Sequence, residues 1–292
     1  MAELEKDPVR AGHAAESQSG YDPKLSLKEL AETISSLGRK KANTRLWQLF
    51  LLGFLAGIYI SIGGHAFLVT LEQGMGKVVG GAVFSLGLVL VVVAGAELFT
   101  GNIIMIVGAI THLYSVQKLL RNWLIVYAGN LVGAYLFAIV IWKSGLMGGE
   151  GGLNNLGSLA ERVADAKLGL GMGACVVRGI LCNILVLLAI IMATMAKDIT
   201  SKILCCVFPI MVFVACGFEH CVANMYLIPV GLFAKGVPFW RHGIMFGNIL
   251  PVSLGNIIGG IFILVIHPNR IRQIMHLWTR KDIIRQEVRR DG

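Results

Sequence analysis

Six long apolar stretches divide this chain, and their length limits the folds open to it. They run roughly over 46–69, 78–110, 122–142, 169–195, 203–233 and 243–266. An α-helix needs about 20 apolar residues to cross the hydrocarbon core of a bilayer. Only 15% of the residues are charged, against about 25% in an average soluble domain. The sequence therefore predicts an all-α integral membrane protein with six transmembrane helices.

The basic residues indicate how these helices are oriented. The formal net charge is +9, but Lys and Arg are concentrated in the two tails and in the gaps at 111–121 and 196–202. With six crossings both termini lie on one side, and that side carries 19 of the 26 Lys and Arg. Because cytoplasmic loops are enriched in these residues, we expect a multi-pass protein of the cell membrane with cytoplasmic termini. This distribution argues against nucleic acid as a partner.

The second and fifth stretches are longer than one crossing needs, and each has a polar interruption at its centre. Residues 95–102 and 217–224 share the pattern G-x-E-x-x-x-x-N, and the next stretches repeat a Gly-Asn pair at Asn130 and Asn256. Offsets of 122 and 126 residues indicate a three-helix unit used twice. An odd number of crossings inverts the second unit, and broken helices at matching positions of inverted halves point to a transport site near the midplane.

The chain accordingly divides into three regions. Residues 1–45 are predicted to form a cytoplasmic tail with an amphipathic helix over 25–41, because apolar residues recur there at three- and four-residue spacing. Residues 46–268 form the six-helix transport domain. Residues 269–292 form a basic cytoplasmic tail, expected along the same membrane surface.

A helix break in hydrocarbon exposes backbone N–H and C=O groups at a cost of several kcal/mol each, so it must be covered by protein or water. We expect the side chains of Glu97, Asn102, Glu219 and Asn224 to brace the breaks by bonding these freed groups. Carboxylates within a membrane are often functional. A functional role is therefore the alternative interpretation of Glu97 and Glu219.

His220 has no counterpart in the first break, where Leu98 occupies its position. A histidine has two hydrogen-bonding ring nitrogens and a near-neutral pKa, which suit a pore at the midplane. We therefore expect His220 to line a pore and Thr100, in the other break, to lie close to it. His65 is interpreted as a packing residue.

Several ordered motifs resemble those of one membrane protein family. GFEHCVANMYLIP at 217–229 and AELFT at 96–100 resemble signatures of the formate/nitrite transporters, and so do FSLGL at 84–88, RNWL at 121–124, GILCN at 179–183 and PVSLGNIIG at 251–259. The resemblance spans about residues 30–268. It implies an aquaporin-like protomer with one pore, assembled as a homopentamer.

The resemblance also implies roles for individual side chains. His220 resembles the central pore histidine of the family and Thr100 its partner, Asn183 a polar pore-lining residue, and Lys167 a vestibule lysine that attracts anions. The residues that resemble the apolar constrictions are Leu88, Leu98, Phe99, Val186 and Phe213.

The function implied by this resemblance is transport of small monovalent anions of weak acids. Formate is the expected substrate, moved with a proton as the neutral acid, and nitrite or hydrosulfide is the alternative. Membrane lipid and further copies of the chain are the expected partners. We expect no catalytic residues, cofactor or metal site, because the sequence lacks hydrolase and metalloprotease motifs.

Two other classes of membrane protein are alternatives to this interpretation. An aquaporin is rejected because the tripeptide Asn-Pro-Ala occurs nowhere in the chain. A cytochrome b-like membrane subunit is the remote alternative, and it would need paired histidines on facing helices, for which only His65 and His220 are suitably placed.

Overall fold

The computed structural model describes residues 24–149 and 151–266. These residues are mostly helical, and a short antiparallel hairpin of β1 (Gly148–Gly149) and β2 (Gly152–Leu153) interrupts them. The predicted C-terminal tail at 269–292 and most of the N-terminal tail lie outside the described residues.

The apolar stretches fold into helices close to the predicted boundaries. In chain order the helices are α1 (Leu27–Asn43), α2 (Leu46–Glu72), α3 (Gly76–Gly95), α4 (Phe99–Ile110), α5 (Val116–Lys143), α6 (Asn155–Leu168), α7 (Met172–Met195), α8 (Ile199–Ala215), α9 (Cys221–Ala234) and α10 (Phe239–Ile266). Within the described ranges, α2, α3, α5, α7 and α10 are long and apolar enough to cross a membrane, and α4, α8 and α9 are shorter apolar helices. The expected helical class is thus confirmed, with five apolar helices of membrane-spanning length in the described ranges.

Both predicted helix breaks are present. The first separates α3, which ends at Gly95, from α4, and the second separates α8 from α9. Gly95 has a φ of 86° and Gly217 a φ of 71°, a region that glycine enters without the steric cost that a Cβ imposes. This backbone requirement explains why both breaks contain a glycine two residues before the glutamate.

The predicted amphipathic helix is α1, and its start is specified by local hydrogen bonds. The Ser26 hydroxyl accepts from the Glu29 N–H at 3.3 Å, and the Glu29 carboxylate accepts from the Ser26 N–H at 2.8 Å. Such a capping box satisfies two backbone donors at a helix N-terminus. Leu30 and Ile34 are buried, so one face of α1 packs against the rest of the chain.

Glycines allow the long helices to approach closely in pairs. A Cβ on Gly179 of α7 would lie 2.7 Å from the Val252 carbonyl oxygen of α10, and one on Gly129 of α5 would lie 2.6 Å from the Phe50 carbonyl oxygen of α2. Helices in lipid associate through close van der Waals packing, which small residues permit. The α7–α10 and α2–α5 pairs therefore form the closely packed frame around the two breaks.

Gly179→Ala is expected to lower the melting temperature of the detergent-solubilised protein, because the methyl group would meet the backbone of α10. Overpacking of this kind costs about 1–3 kcal/mol. Gly173→Ala is the matched control in the same helix, since a Cβ there meets no atom within 4 Å, and alanine favours helix over glycine. Equal melting temperatures for the two variants would contradict the packing described here.

Candidate functional site

The two breaks meet at Thr100 and His220, as expected from the sequence. The Thr100 Oγ1 lies 2.9 Å from the His220 Nε2, and both residues are buried. His220 Nδ1 accepts from the Ala223 N–H at 3.1 Å, so His220 is the N-cap of α9. A neutral imidazole with Nδ1 as acceptor carries its proton on Nε2. His220 therefore donates its hydrogen bond to the Thr100 hydroxyl.

Asn130 of α5 bonds the backbone that the first break leaves free. Its Oδ1 accepts from the Phe99 N–H at 2.9 Å, and its Nδ2 donates to the carbonyl oxygens of Glu97 at 3.0 Å and Gly53 at 2.7 Å. An amide side chain can do this because it carries both an acceptor and two donors. One residue thus links the break to α2 and α5.

Asn256 of α10 makes the same three bonds at the second break. Its Oδ1 accepts from the Cys221 N–H at 3.0 Å, and its Nδ2 donates to the carbonyl oxygens of Glu219 at 3.0 Å and Gly179 at 2.8 Å. In the sequence, Asn130 and Asn256 stand out only as part of the repeat. The structure gives both the bracing role.

The expectation for Glu97, Asn102, Glu219 and Asn224 is therefore wrong in one respect, since their side chains bond no freed backbone group in the described parts of the chain. They bind one another and a lysine instead. At the first break Lys41 Nζ donates to Glu97 at 2.7 Å and to Asn102 Oδ1 at 2.9 Å, and Asn102 Nδ2 donates to Glu97 at 2.6 Å. A carboxylate pairs more strongly with an ammonium than with a neutral peptide group.

Lys167 forms the corresponding ion pair at the second break. Its Nζ donates to both Glu219 carboxylate oxygens, at 3.0 and 2.9 Å, and Asn224 Nδ2 donates to Glu219 at 2.6 Å. The side chains of Lys167 and Glu219 are only 15% and 6% exposed. Lys167 therefore lies at the second break, and its charge is balanced by Glu219.

Lys41, near the end of α1, was not among the residues predicted for the site. It stands 126 residues before Lys167, which is the offset that separates the two Gly-Asn pairs. Counting back by this offset from Lys167 therefore gives Lys41 as the equivalent lysine of the first half. The same offset relates two further residues missed from the sequence, Asn122 and Asn248, which accept from Asn102 at 2.9 Å and from Asn224 at 2.7 Å.

Two cavities lie at opposite ends of α7, on either side of the Thr100–His220 pair. The first, here named the Lys167 vestibule, has a volume of about 230 Å³, is lined by Arg178 near the start of α7, and reaches His220. The second, the Lys41 vestibule, has a volume of about 210 Å³ and is lined by Thr194 near the end of α7.

Two of the expected constriction residues border these cavities. Phe213 lines the Lys167 vestibule, and its ring stacks on that of His220 with centroids 5.9 Å apart and an interplanar angle of 16°. Leu98, in the first break, lines the Lys41 vestibule. Each vestibule therefore ends at an apolar side chain next to a helix break.

The other expected pore residues are buried between the elements. Leu88, Phe99 and Val186 are buried and line neither vestibule, and the Phe99 ring packs edge-on against Tyr127 with centroids 4.8 Å apart. Asn183 Nδ2 donates to the Asn256 carbonyl oxygen at 2.7 Å. Its Oδ1 is buried with no hydrogen-bond partner in the part of the chain described, which leaves one polar acceptor free beside the Thr100–His220 pair.

An ion pair outside the spans positions the helix that carries Lys167. Lys235, after α9, donates to both carboxylate oxygens of Asp165 on α6, at 2.9 and 2.8 Å. This hydrogen bond raises the pKa of Lys235 above its usual value, so the lysine is charged throughout the physiological range. The pair is exposed and adds little to stability, but it ties α6 to the end of α9.

Comparison with known proteins gives a consistent result. The family model described as formate/nitrite transporter matches residues 28–268. Formate channel FocA of Haemophilus influenzae is 35% identical over 274 residues, covering 85% of this chain and 94% of that relative. A probable formate transporter of Methanothermobacter thermautotrophicus is 40% identical over 254 residues, covering 80% and 91%. A solved pentameric formate channel with formate bound matches with a TM-score of 0.65 and 34% identity, covering 77% of this chain and 95% of that one.

Glu219→Gln and Lys167→Met are each expected to lower the melting temperature of the purified protein, because each leaves one largely buried charge without its partner. Such a loss costs about 3–5 kcal/mol. The double variant should be more stable than the sum of the two effects predicts, since neither charge remains. Lys235→Met, which removes the exposed pair with Asp165, is the control and should change little. Strictly additive losses would show that the Lys167–Glu219 pair is not coupled.

Proposed function

This chain belongs to the formate/nitrite transporter family, and from that membership we propose that it moves formate across a cell membrane. The family consists of channels and transporters, not enzymes. Formate is favoured over nitrite and hydrosulfide because the named relatives and the matching solved structure carry formate in their descriptions. The observation that carries the proposal is the buried Thr100–His220 hydrogen bond, which joins two broken helices between two vestibules.

The protomer crosses the membrane six times as two inverted three-helix repeats with an aquaporin-like arrangement. In this topology α3 with α4 forms the broken second crossing, and α8 with α9 the broken fifth. Support comes from the duplicated contacts, because each break has its own Asn–backbone and Lys–Glu–Asn network at a constant sequence offset. Residues 1–45 and 269–292 are the cytoplasmic tails of the 46–268 transport domain.

The functional unit is a homopentamer in a cell membrane with both termini cytoplasmic. The matching solved channel is described as pentameric, and the excess of Lys and Arg on one side supports the orientation. Large apolar side chains such as Leu124 and Met172, 69% and 73% exposed in the single chain, are suited to contact lipid or a neighbouring copy.

The apolar residues set the chemical form in which the substrate passes. Leu88, Leu98, Phe99, Val186 and Phe213 would remove water from a passing anion without replacing its hydrogen bonds, which is costly in a medium of low polarity. A neutral acid avoids most of that cost. We therefore assign the constrictions to these five residues and permeation to the neutral acid, accompanied by one proton.

His220 acts as a hydrogen-bond donor to the substrate rather than as its source of protons. Its Nδ1 accepts from the Ala223 N–H, so loss of the Nε2 proton would leave an anionic ring. The proton that the anion takes up then comes from water in the Lys167 vestibule, where the anion is bound before it passes. Thr100 and the free Oδ1 of Asn183 offer further hydrogen bonds along the path.

The proposal is tested by uptake into proteoliposomes of purified protein, with formate, nitrite and hydrosulfide compared and internal pH recorded. We expect formate to enter fastest and the interior to acidify in step with uptake, because each molecule carries its proton inward. Faster entry of nitrite or hydrosulfide would overturn the substrate assignment. Formate uptake as net charge, without acidification, would overturn neutral permeation.

A pair of substitutions separates hydrogen bonding at His220 from its titration. His220→Asn keeps an acceptor for the Ala223 N–H and a donor toward Thr100, so proton-coupled formate uptake should persist within about tenfold of the original rate, which is the scale of one hydrogen bond. His220→Phe keeps a ring but loses both bonds, and it should abolish coupled uptake or leave only an uncoupled leak. Loss of coupling in both variants would instead require the imidazole to titrate during transport.

A further inference from the structure

Lys167 does not supply net charge to its vestibule, since its ammonium group is bound by both oxygens of Glu219. The charged residues that line this vestibule are Lys77, Lys167, Arg178 and Glu219. With Lys167 and Glu219 cancelling, the remaining formal charge comes from Lys77 and Arg178. Besides Lys167, Lys77 and Arg178 are therefore the lining residues that can attract an anion into this cavity.

Of these two residues, Arg178 has its backbone at the second break. Its carbonyl oxygen accepts from the Glu219 N–H at 3.3 Å, whereas Lys77 lies at the start of α3. The Arg178 side chain is exposed, and its guanidinium makes no hydrogen bond or ion pair with any described residue. An arginine within an apolar span is costly unless it faces a water-filled cavity or a binding site.

The corresponding position of the first half carries no charge. Leu52 stands 126 residues before Arg178, and its carbonyl oxygen makes the matching bond to the Glu97 N–H at 3.2 Å. The Lys41 vestibule has Lys41 as its charged lining residue, and Lys41 is paired with Glu97. The duplicated scaffold is thus electrostatically different at its two ends, and Arg178 is the source of the difference nearest the break.

We propose that Arg178 is the residue that captures and selects the anion in the Lys167 vestibule, an inference that rests on the transport function proposed above. A guanidinium presents a planar fork of N–H donors that matches two oxygens of a carboxylate, and nitrite has the same bent pair of oxygens. Hydrosulfide, with a single sulfur, cannot engage the fork in this way. Arg178 therefore raises the local concentration of formate or nitrite before the anion takes up its proton.

The test measures the initial uptake of radiolabelled formate as a function of its concentration. It uses intact cells that lack other formate carriers, because in the proposed orientation the Lys167 vestibule faces the medium. Arg178→Leu should raise the apparent KM about tenfold, the lower end of what electrostatic focusing in a cleft provides, and leave the maximal rate within about twofold. Arg178→Lys retains the charge without the fork and should give an intermediate KM. The apparent KM of the unmodified protein should rise with ionic strength, and that of Arg178→Leu should rise less.

Arg162→Leu is the matched control, because Arg162 lies exposed on α6, which also carries Lys167, but does not line the vestibule. It should leave the KM unchanged. Melting temperature and elution in detergent confirm folding, and Arg178→Gln replaces Arg178→Leu if the leucine variant does not accumulate.

An unchanged KM in the folded Arg178 variant, or an equal rise in Arg162→Leu, would overturn the assignment of Arg178. If the unmodified protein takes up nitrite but not formate, the same KM comparison is made with nitrite. If it takes up none of formate, nitrite and hydrosulfide, the transport function itself is overturned, and the assignment of Arg178 with it. Uptake by the unmodified protein therefore distinguishes failure of the transport function from failure of the Arg178 assignment.

Discussion

The arrangement of this site depends on satisfying backbone hydrogen bonds where two helices break inside an apolar protein. Each unpaired N–H or C=O in hydrocarbon costs several kcal/mol. Asn130 and Asn256 each bind two groups at a break, one N–H and one C=O, and also a carbonyl oxygen of a neighbouring helix. Because these amides lie on neighbouring helices, each break is attached to the frame around it. The chain can then turn at the midplane and direct Thr100 and His220 toward each other.

The two Lys–Glu pairs have a different consequence. Each glutamate lies next to backbone that is already bonded by asparagine, and its charge is balanced by a lysine from α1 or α6. Both pairs therefore join a surface helix to the edge of a break while adding no net charge. Each lysine therefore links its helix to a break, and Arg178 is a lining cation outside these two pairs.

Much of this fold could be predicted from the sequence, because apolar stretches and glycine-containing interruptions are local signals. The helices, both breaks and the approach of Thr100 to His220 were expected. The polar partners were less predictable, because Asn130 reaches Phe99 across 31 residues and Lys41 reaches Glu97 across 56. Glu97 and Asn102 were expected to bind the backbone of the first break because they are close to it in sequence. The orientation of α5 instead places Asn130 where it makes these hydrogen bonds. The offset of 126 residues is the signal in the sequence that could have linked Lys41 to Lys167.

The residues that differ between the two halves are the candidates for a chemical role, because the residues that recur already have a structural role at the breaks. The same asparagines, glutamate and lysine recur at matching positions of each half. In both halves they bind the helix break and one another. The equivalents of His220 and Arg178 are Leu98 and Leu52, so a ring that donates a hydrogen bond and an unpaired cation both belong to one half. With these substitutions the duplicated scaffold places His220 and Arg178 at the Lys167 vestibule, whereas the charged lining residue of the Lys41 vestibule is Lys41, which is paired with Glu97. In the transport function proposed above, an anion that enters by the Lys167 vestibule would meet Arg178 first and the Thr100–His220 pair second, so its capture would precede its protonation.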